Sequence, residues 1–472
     1  MAVLHSSQSS AFPHHGASAT SAPEERAALL KHAARDAAEY LENAEIRSVA
    51  PTAEAIAALS AMRCPLPPGP TSAEAVLHLL HQYGSPATVA KTSGRNFGFV
   101  NGGCLPAALA ASWLVSAWDQ NAAFFVQSPV AVILEEVALG WVRELLCLPE
   151  GTGGAVVTGA TMANFSALAA ARHAVLARAG WDVEADGLFE APPITVVISQ
   201  EAHASVAKAL GMLGMGRKRV VKVPVDSQGR MRADAVPHLD DRTILCLQAG
   251  NVNTGSFDPA SAICPAAKEA GAWIHVDGAF GLWAAASPEY RRLTRGFELA
   301  DSWATDAHKW PNIGYDCGIA LVRNPEQLRA AMSMNAAYLV QGEHREPSYY
   351  NPELSRRARG VELWAGLRSL GRSGIAEIVE RTSAHARHFA AGLKAAGFEV
   401  PNEVVINQVL VSFGSREQTL RTVARLQAEG TCWCGATVWQ GKTLMRISVS
   451  NWATSGEDVE RSLAAMIRAA KE

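Results

Sequence analysis

Short apolar runs alternate with longer segments of helical period through the middle of the chain. Between residues 153 and 323 the apolar runs read AVVTG, ITVVIS, TILCLQAG, AWIHVD and CGIALVR. Segments with apolar residues at helical spacing follow three of these runs, at Met162–Ala177, from about His203, and at Pro259–Ala270. Strands that alternate with helices predict an α/β fold, with a mostly parallel central sheet and helices on both faces.

The N-terminal flank of this region has a helical pattern. After a tail rich in Ser, Ala and His, apolar residues recur at helical spacing in several segments, and a Gly-rich loop, SGRNFGFVNGG, interrupts them. The predicted helices are Glu24–Glu45, Thr52–Ala61, Ser72–Tyr83, Leu105–Trp118 and Val130–Leu146.

The C-terminal flank changes to a mixed pattern. A long helix is predicted at Leu354–Leu370, and the strand-like runs GFEVPN, QVLVSFG, TCWCGATVWQ and TLMRISVSN follow it, with helices at Glu417–Glu429 and Ser455–Lys471. This pattern predicts a small α+β C-terminal domain. We therefore expect a disordered tail (1–22), an N-terminal helical segment (23–92), a large domain (93–371) and a small C-terminal domain (372–472).

Polar or small residues follow five of the strand-like runs, and α/β sheets bind their ligands at the carboxyl ends of the strands. These residues are Thr158–Thr161, His203, Gly250–Asn253, Asp277 and Lys309. The first group opens the stretch TGATMANFSALAAAR, which joins a strand to a helix through small residues. A helix start offers free N–H groups and a positive dipole end, so this stretch is a candidate phosphate site.

Composition and charge narrow the classes of function. The chain of 472 residues is 49% hydrophobic, and its net charge of −3 argues against nucleic acid as the main partner. No apolar run reaches the roughly 18 residues that a membrane helix needs, so we expect no membrane partner. The N-terminus lacks the pattern of a signal peptide. Eight thinly spread cysteines without a histidine cluster predict no metal site and a reducing cytoplasm.

Two stretches carry the main chemistry: HVDGAF at residues 275–280 and ADSWATDAHKWPN at residues 300–312. Together with the helix-start turn and the segment QEAHASVAKA around His203, they resemble the site of the group II amino-acid decarboxylases, which include aromatic-L-amino-acid and glutamate decarboxylases. The resemblance spans roughly Arg95–Leu370. It implies an aspartate-aminotransferase-like fold (fold-type I) with pyridoxal phosphate (PLP) bound as an imine on Lys309. Asp277 would keep the pyridine nitrogen protonated, so that the ring can accept electrons.

The resemblance also assigns further contacts with the cofactor. They fall on Ala160, Thr161, His203, Asn253, Ala279 and His308. The first two and His308 would hold the phosphate, His203 would stack on one face of the ring, and Ala279 would lie against the other. Asp306 stands where some relatives carry Asn, and we assign it no contact because an acid beside a phosphate is unfavourable.

The implied reaction is decarboxylation of an L-amino acid to the amine and carbon dioxide. The substrate amine would replace Lys309, the bond to the carboxylate would break into a quinonoid intermediate, and the Cα atom would then be protonated. The family's proton donor is a tyrosine on a loop before the bridging helix, which favours Tyr350 here, with Tyr349 as the alternative. The family also implies a homodimer with active sites at the subunit interface.

The side chain of the substrate is less clearly indicated. The family's pocket segments read FVNGG and NAAFFVQSP here, which gives the candidate pocket residues Phe99, Asn101, Ala123, Phe124 and Phe125. The three phenylalanines favour an apolar or aromatic substrate. These segments contain no Arg or Lys that would bind an acidic side chain. An aldehyde synthase or a carbon–carbon lyase of the same fold is the alternative, and a non-catalytic regulatory protein is the rival from another class.

Overall fold

The computed structural model describes residues 23–334 and 344–472. The chain divides into two compact units between Val89 and Ala90. In the first unit, the side chains of Thr52 and Ser72 each accept a backbone N–H group at a helix start, which satisfies donors that the helix leaves unpaired. The helices of this unit are α1 (Pro23–Ile46), α2 (Ala53–Ala58) and α3 (Ala73–Leu79).

A seven-stranded sheet forms the centre of the second unit, and its strand order is β1-β7-β6-β5-β4-β2-β3. The strand β7 runs antiparallel to its neighbours β1 and β6, whereas the other neighbouring pairs are parallel. The predicted α/β fold with a mostly parallel sheet is confirmed. The strands are β1 (Gly153–Val157), β2 (Thr195–Ser199), β3 (Val220–Val223), β4 (Thr243–Gln248), β5 (Trp273–Asp277), β6 (Ser302–Asp306) and β7 (Gly318–Val322).

Helices cover both faces of this sheet, and the side chains of β4 show why its strands are apolar throughout. Leu245 and Leu247 belong to one buried cluster, whereas Ile244 and Cys246 belong to another, as expected when successive side chains point to opposite buried faces. The helices of the second unit are α4 (Pro106–Trp118), α5 (Pro129–Leu145), α6 (Ala160–Arg178), α7 (Val183–Asp186), α8 (Ala204–Met212), α9 (Ala260–Glu269), α10 (Pro325–Met332), α11 (Arg359–Ala395), α12 (Arg416–Glu429) and α13 (Gly456–Lys471).

A smaller antiparallel sheet near the C-terminus has the order β8-β10-β9. Its helices α12 and α13 both begin with a capping box, at Ser415 and Ser455, in which side chain and backbone satisfy each other's donors. Met445 and Ile447 pack in the buried cluster that supports this sheet. Its strands are β8 (Gln408–Val411), β9 (Gly435–Trp439) and β10 (Lys442–Ser448).

Two predicted elements of the C-terminal flank differ from the structure, one strand that is absent and one helix with other bounds. The run GFEVPN is not a strand, since Glu399 forms only a single bridge, with Ser412. The predicted long helix is present but starts at Arg359, because the preceding residues form bends and Arg357 pairs with Asn121 in an isolated bridge. It also runs on to Ala395, with one non-helical residue inside.

The register of the sheet determines where the candidate site lies. Gln248 at the end of β4 pairs with Asp277 at the end of β5, and Asp277 pairs with Ala304 on β6. The carboxyl ends of these parallel strands therefore share one edge, and Lys309 lies in the turn that follows β6. At the same edge β7 passes close to the turn before α6, because a Cβ atom added to Gly318 would lie 2.4 Å from the Cα atom of Gly159. Within the described ranges, no helix is long and apolar enough to cross a membrane.

Candidate active site

Hydrogen bonds from three different elements hold the side chain of Asp277 at this edge of the sheet. It is 4% exposed, and its Oδ2 atom accepts hydrogen bonds from Asn164 Nδ2 at 3.2 Å and from Ser205 Oγ at 3.5 Å. Its Oδ1 atom accepts the backbone N–H of Ala279 at 3.2 Å. Three neutral donors from α6, α8 and the turn after β5 therefore stabilise a buried carboxylate.

Asn164 is held in turn by a chain of hydrogen bonds through His275 and Ser302. His275 lies two residues before Asp277 on β5, so both side chains are on the same face of the strand. The His275 ring is fully buried, with Nε2 2.8 Å from Asn164 Oδ1 and Nδ1 2.9 Å from Ser302 Oγ. Burial lowers the pKa of His275 to about 3, so the ring is neutral. Because Asn164 Oδ1 can only accept, Nε2 carries the ring proton and donates to it. Nδ1 of the neutral ring then accepts the Ser302 hydroxyl, whose oxygen also accepts Trp273 Nε1–H.

His203 is the N-cap residue of α8, and its Nδ1 atom accepts the backbone N–H of Ser205 at 3.2 Å. His203 is exposed to solvent, yet neighbouring protein atoms lower its pKa by desolvation. The negative charge of Asp277 opposes this shift, whereas the positive charges of Lys309 and Arg446 add to it. These charges act on His203 because all three groups lie near its ring.

Lys309 forms an ion pair with Asp306, the last residue of β6. The Nζ atom lies 3.0 Å from Asp306 Oδ2, and the lysine side chain is 20% exposed whereas that of Asp306 is 2% exposed. The other carboxylate oxygen of Asp306 accepts the backbone N–H of Ala160, the first residue of α6, at 2.6 Å. The predicted lysine and the predicted phosphate-binding helix start are thus connected through one carboxylate.

His308 lies beside the same group, with its Nε2 atom 3.5 Å from Asp306 Oδ1. Its Nδ1 atom accepts the backbone N–H of Cys317 at 3.1 Å, which places the remaining ring proton on Nε2, facing Asp306. Burial lowers the pKa of His308. Tyr315 stacks on its ring at 4.4 Å between centroids and donates a hydrogen bond of 2.5 Å to Asn101.

The Gly-rich loop predicted at Ser93–Gly103 packs against the backbone that carries Lys309. A Cβ atom added to Gly102 would lie 2.1 Å from the carbonyl oxygen of Lys309, so only glycine allows this approach. The amide of Gly103 donates to Asn312 Oδ1 at 2.5 Å, and Asn312 Nδ2 donates to Ser450 O at 3.0 Å. This asparagine joins the loop, the lysine turn and the C-terminal segment.

Arg446 on β10 is a basic residue near the site that the sequence analysis did not identify. Its side chain makes no hydrogen bond or ion pair with any residue that the structure describes, and burial lowers its pKa without an opposing carboxylate. A partly buried guanidinium without a partner is costly, so this group is suited to bind an anionic ligand. The sequence signal was a single positive charge inside the apolar strand TLMRISVS.

The remaining predicted residues lie elsewhere or have other partners. Asn253 accepts a hydrogen bond from Thr437 at 2.9 Å. Phe99 is 68% exposed and stacks on Trp433, with the ring centroids 5.2 Å apart. Thr161 is the second residue of α6, and its side chain forms no hydrogen bond with another described residue. The cofactor and substrate roles of these three residues stay predictions.

A second group of predicted residues forms its own cluster. Phe124 packs edge-on against Tyr349 at 6.3 Å, and Phe125 stacks on His344 at 3.7 Å. The carbonyl oxygen of Ala123, a fully buried residue, accepts the backbone N–H of Ser348. Tyr350 packs beside β1 and α6 under the guanidinium of Arg345. The described contacts join none of these residues to Lys309 of the same chain, and their roles also stay predictions.

Some further residues of the site are polar positions within segments of the sequence that are otherwise apolar. Asn164 is a polar residue one helical turn after Ala160 in an otherwise alanine-rich helix, and His275 shares the face of Asp277 on its strand. Both are polar side chains at positions where the pattern predicts burial, which is the usual mark of a functional hydrogen bond. The signal for Ser205 was weaker, since a serine near a helix start is common.

Comparison with known proteins shows which family this chain matches. Residues 74–415 match the model of the pyridoxal-dependent decarboxylase conserved domain. The aromatic-L-amino-acid decarboxylase of Drosophila lebanonensis is 28% identical over 379 residues, which cover 74% of this chain and 91% of that protein. The acidic amino acid decarboxylase GADL1 of Xenopus tropicalis is 31% identical over 312 residues, which cover 62% of this chain and 59% of that protein.

Solved structures show the same fold. Oryza sativa TDC, solved with PLP and tryptamine, has a TM-score of 0.87 at 22% identity, with 96% of this chain and 99% of that chain covered. Mouse CSAD has a TM-score of 0.87 at 22% identity, with 95% and 99% covered. The family match spans more than half of the chain, and it confirms the predicted cofactor and enzyme class. The chain belongs to the pyridoxal-dependent decarboxylase family and is a PLP-dependent amino-acid decarboxylase.

Proposed function

We propose that this decarboxylase acts on an L-amino acid with an apolar or aromatic side chain and releases the corresponding amine and carbon dioxide. The observation that carries the proposal is the convergence of Lys309, Asp277 and His203, which are far apart in sequence. The Ser205 hydroxyl oxygen lies 2.8 Å from His203 Nδ1 and 3.5 Å from Asp277 Oδ2, and the charges of Asp277 and Lys309 both act on the pKa of His203. An amine, an acid and a neutral imidazole at one sheet edge are the groups that a PLP decarboxylase requires.

The residues present fit the cofactor. PLP supplies an aldehyde that bonds to an amine and a ring that accepts the electron pair left by departing carbon dioxide. Lys309 would provide the amine, Asp277 would pair with the ring nitrogen, and the start of α6 with His308 would hold the phosphate. The turn needs small residues, because a Cβ atom at Gly159 would lie 3.3 Å from His308 Cε1. This crowding supports a compact anion site at the helix start.

Each side chain would have a distinct task. Asp277 would hold a proton between its carboxylate and the ring nitrogen, and its three neutral donors would keep the carboxylate oriented. His203 would offer a flat ring on which the cofactor could stack, and burial by neighbouring atoms, which lowers its pKa, favours the neutral form. We keep Tyr350, with Tyr349 as the alternative, as the proton donor to Cα, and we assign Ala279 to the opposite ring face.

The aromatic preference rests on Phe99, Phe124 and Phe125, together with Tyr315 beside Asn101. Arg446 favours a second candidate, a substrate with an acidic side chain. Its guanidinium lies near His203, and no described carboxylate pairs with it. Relatives of both kinds occur, since one is named an aromatic-L-amino-acid decarboxylase and another an acidic amino acid decarboxylase.

An aldehyde synthase remains the alternative reaction. Phenylacetaldehyde synthase of a Rosa hybrid cultivar is 31% identical over 276 residues, which cover 54% of this chain and 53% of that protein. We favour simple decarboxylation because the chain carries both His203 and candidate loop tyrosines. Consumption of oxygen with release of hydrogen peroxide during turnover would identify the synthase reaction and contradict simple decarboxylation.

We also propose that the enzyme is a homodimer with active sites at the interface. Six large apolar side chains on α4 and α5 are 36–53% exposed, which is more than isolated surface residues explain. They are Trp113, Leu114, Trp118, Val130, Ile133 and Val137. Phe124 and Phe125 lie between these two helices in sequence and form no described contact with the lysine of their own chain, so they are suited to serve the site of a second copy.

We place the enzyme in the cytoplasm. All eight cysteines are free thiols, and five of them are buried. Burial raises the pKa of Cys246 and Cys264 to about 12, so these thiols stay protonated and unreactive. Thiols of this kind are typical of proteins in a reducing compartment.

The decisive experiment is detection of carbon dioxide and amine from a panel of aromatic, apolar and acidic L-amino acids with added PLP. The Lys309→Ala variant should lose turnover and the imine absorbance band while its thermal unfolding stays cooperative. Lys268→Ala is the matched control, because this lysine pairs with Asp301 away from the site. Full activity of Lys309→Ala, or no product from any amino acid in the panel, would refute the proposal.

A further inference from the structure

The carboxylate of Asp306 contacts two groups that we assign to the cofactor phosphate, the start of α6 and His308. Its Oδ1 atom accepts the Ala160 N–H at the start of α6 at 2.6 Å and lies 3.5 Å from His308 Nε2. Its Oδ2 atom lies 3.0 Å from Lys309 Nζ. A helix start and an imidazole N–H are the donors that a phosphate at this site would use, and one resident carboxylate engages both while it also pairs with Lys309.

The backbone of Asp306 is fixed on both sides, so the side chain cannot leave by a loop movement. Asp306 pairs with Gly318 of β7, and its N–H donates to the carbonyl oxygen of Ala279 at 2.9 Å. The side chain is only 2% exposed, so water screens its charge little. A phosphate that enters the site must therefore share these donors with a negative charge a few ångströms away.

We propose that Asp306 acts as an internal anion that weakens the binding of the cofactor's phosphate group and stabilises the site when no cofactor is bound. The inference rests on the proposed assignment of the start of α6 and His308 to the phosphate. Asp306 is thus a residue that sets cofactor affinity: the enzyme loads when free cofactor is abundant and releases it when cofactor is scarce. The alternative is that Asp306 serves only Lys309 and does not affect phosphate binding.

Pyridoxamine phosphate and pyridoxamine separate these possibilities, because neither forms an imine with Lys309 and they differ only in the phosphate. Isothermal titration of the unloaded full-length protein gives both dissociation constants. For Asp306→Asn we expect binding of pyridoxamine phosphate to tighten about 10-fold or more, whereas binding of pyridoxamine changes less than about 2-fold. Asn keeps the acceptor for Ala160 and removes only the charge.

Two comparisons guard this experiment. Asp301→Asn removes the same charge just before β6, where the carboxylate pairs with Lys268 at 2.7 Å, and it should leave both constants unchanged. Unloaded Asp306→Asn should unfold at a lower temperature than the unloaded wild type. Bound PLP should remove this difference in unfolding temperature. This also shows whether the variant folds.

Equal changes for the two ligands, or no change for either, would overturn the inference and leave the proposed function intact. Failure of the wild type and of Asp306→Asn to bind pyridoxamine phosphate at all would overturn both. If Asp306→Asn does not fold, Asp306→Ser provides the same comparison of ligands, with the same expected gain for the phosphate form.

Discussion

At the scale of single residues, the most informative feature is how Asp277 is held. Among the residues that the structure describes, its partners are an amide, a hydroxyl and a backbone N–H, and no cationic side chain bonds to it. Neutral donors orient the carboxylate oxygens without pairing them with another charge. The ring nitrogen of the proposed cofactor would therefore be the first ionic partner of this carboxylate.

Asn164→Ala removes the donor that also links Asp277 to His275. A hydrogen bond to a charged group contributes about 1.5–3 kcal/mol, so we expect kcat to fall about 10- to 100-fold and the cofactor to dissociate faster. Steady-state kinetics and the absorbance of the bound cofactor measure the two effects. Ser166→Ala on the same helix is the control, because its buried hydroxyl has no partner among the described residues. An unchanged kcat in Asn164→Ala would contradict the role assigned to this amide.

His275 predicts a pH dependence of stability. The unfolded chain takes up a proton at this histidine near pH 6.5, whereas the folded ring resists it until about pH 3. Below pH 6.5 the unfolded state therefore binds more protons, and this group lowers the free energy of unfolding by about 1.4 kcal/mol per pH unit as the pH falls. Urea unfolding of wild type and His275→Gln between pH 4 and 7 should show a shallower loss in the variant. Parallel curves would contradict a neutral buried ring.

The main candidate residues of this site could be predicted from the sequence, but the residues that surround them in the fold could not. Lys309 and Asp277 follow strand-like runs in motifs with a clear chemical reason, whereas Asn164 and Arg446 reach the site through tertiary packing of a distant helix and sheet. Asp306 was expected to make no contact because two anions repel. In the structure its carboxylate turns to the Ala160 N–H and the lysine instead.

At the scale of elements, a buried ion pair anchors the segment between residue 344 and α11. Arg356 Nη1 lies 2.9 Å from Glu135 Oε2 on α5, and both side chains are at most 1% exposed. Arg356 and Asn351 also donate to the carbonyl oxygen of Val156 on β1, at 2.5 and 2.9 Å. The segment that carries Tyr349 and Tyr350 is thus fastened to the sheet after the tyrosines, and its geometry depends on this pair.

Glu135→Gln leaves the guanidinium of Arg356 buried beside a neutral group. Loss of one partner of a buried ion pair costs about 3–5 kcal/mol, and we expect the free energy of unfolding to fall by that order. Chemical denaturation measures it, and Glu136→Gln at the neighbouring exposed position is the control. A loss equal to that of the control would show that the pair does not anchor the segment.

The elements themselves were largely predictable, because apolar periods of strands and helices differ and both faces of the sheet are buried. The strands β1, β2, β4 and β5 and the two C-terminal helices α12 and α13 lie where the pattern predicts them. The start of α11 was not predictable, since Leu354–Ala358 has helical composition. This segment is instead irregular, which we attribute to the anchoring of Arg356, a tertiary effect.

At the scale of the whole molecule, α4 and α5 present an exposed apolar face within the part of the chain that the structure describes. We expect Ile133→Glu to weaken the proposed dimer, because the charge would be buried without a partner. Light scattering coupled to size exclusion should then show monomer at micromolar concentration, with activity lost in parallel. Val438→Glu, at a 67% exposed position on β9, is the control. A wild-type enzyme that is already monomeric and fully active would refute the interface.

The contact between Gly318 and the turn at Gly159 has a practical consequence for engineering. Because a Cβ atom at Gly318 would lie 2.4 Å from the main chain of Gly159, any side chain at Gly318 would displace the turn before α6. A mutant library aimed at new substrates should therefore leave Gly318 untouched. We expect the most useful diversity at Phe99 and Arg446, because neither makes a described contact with Lys309, Asp277 or His308.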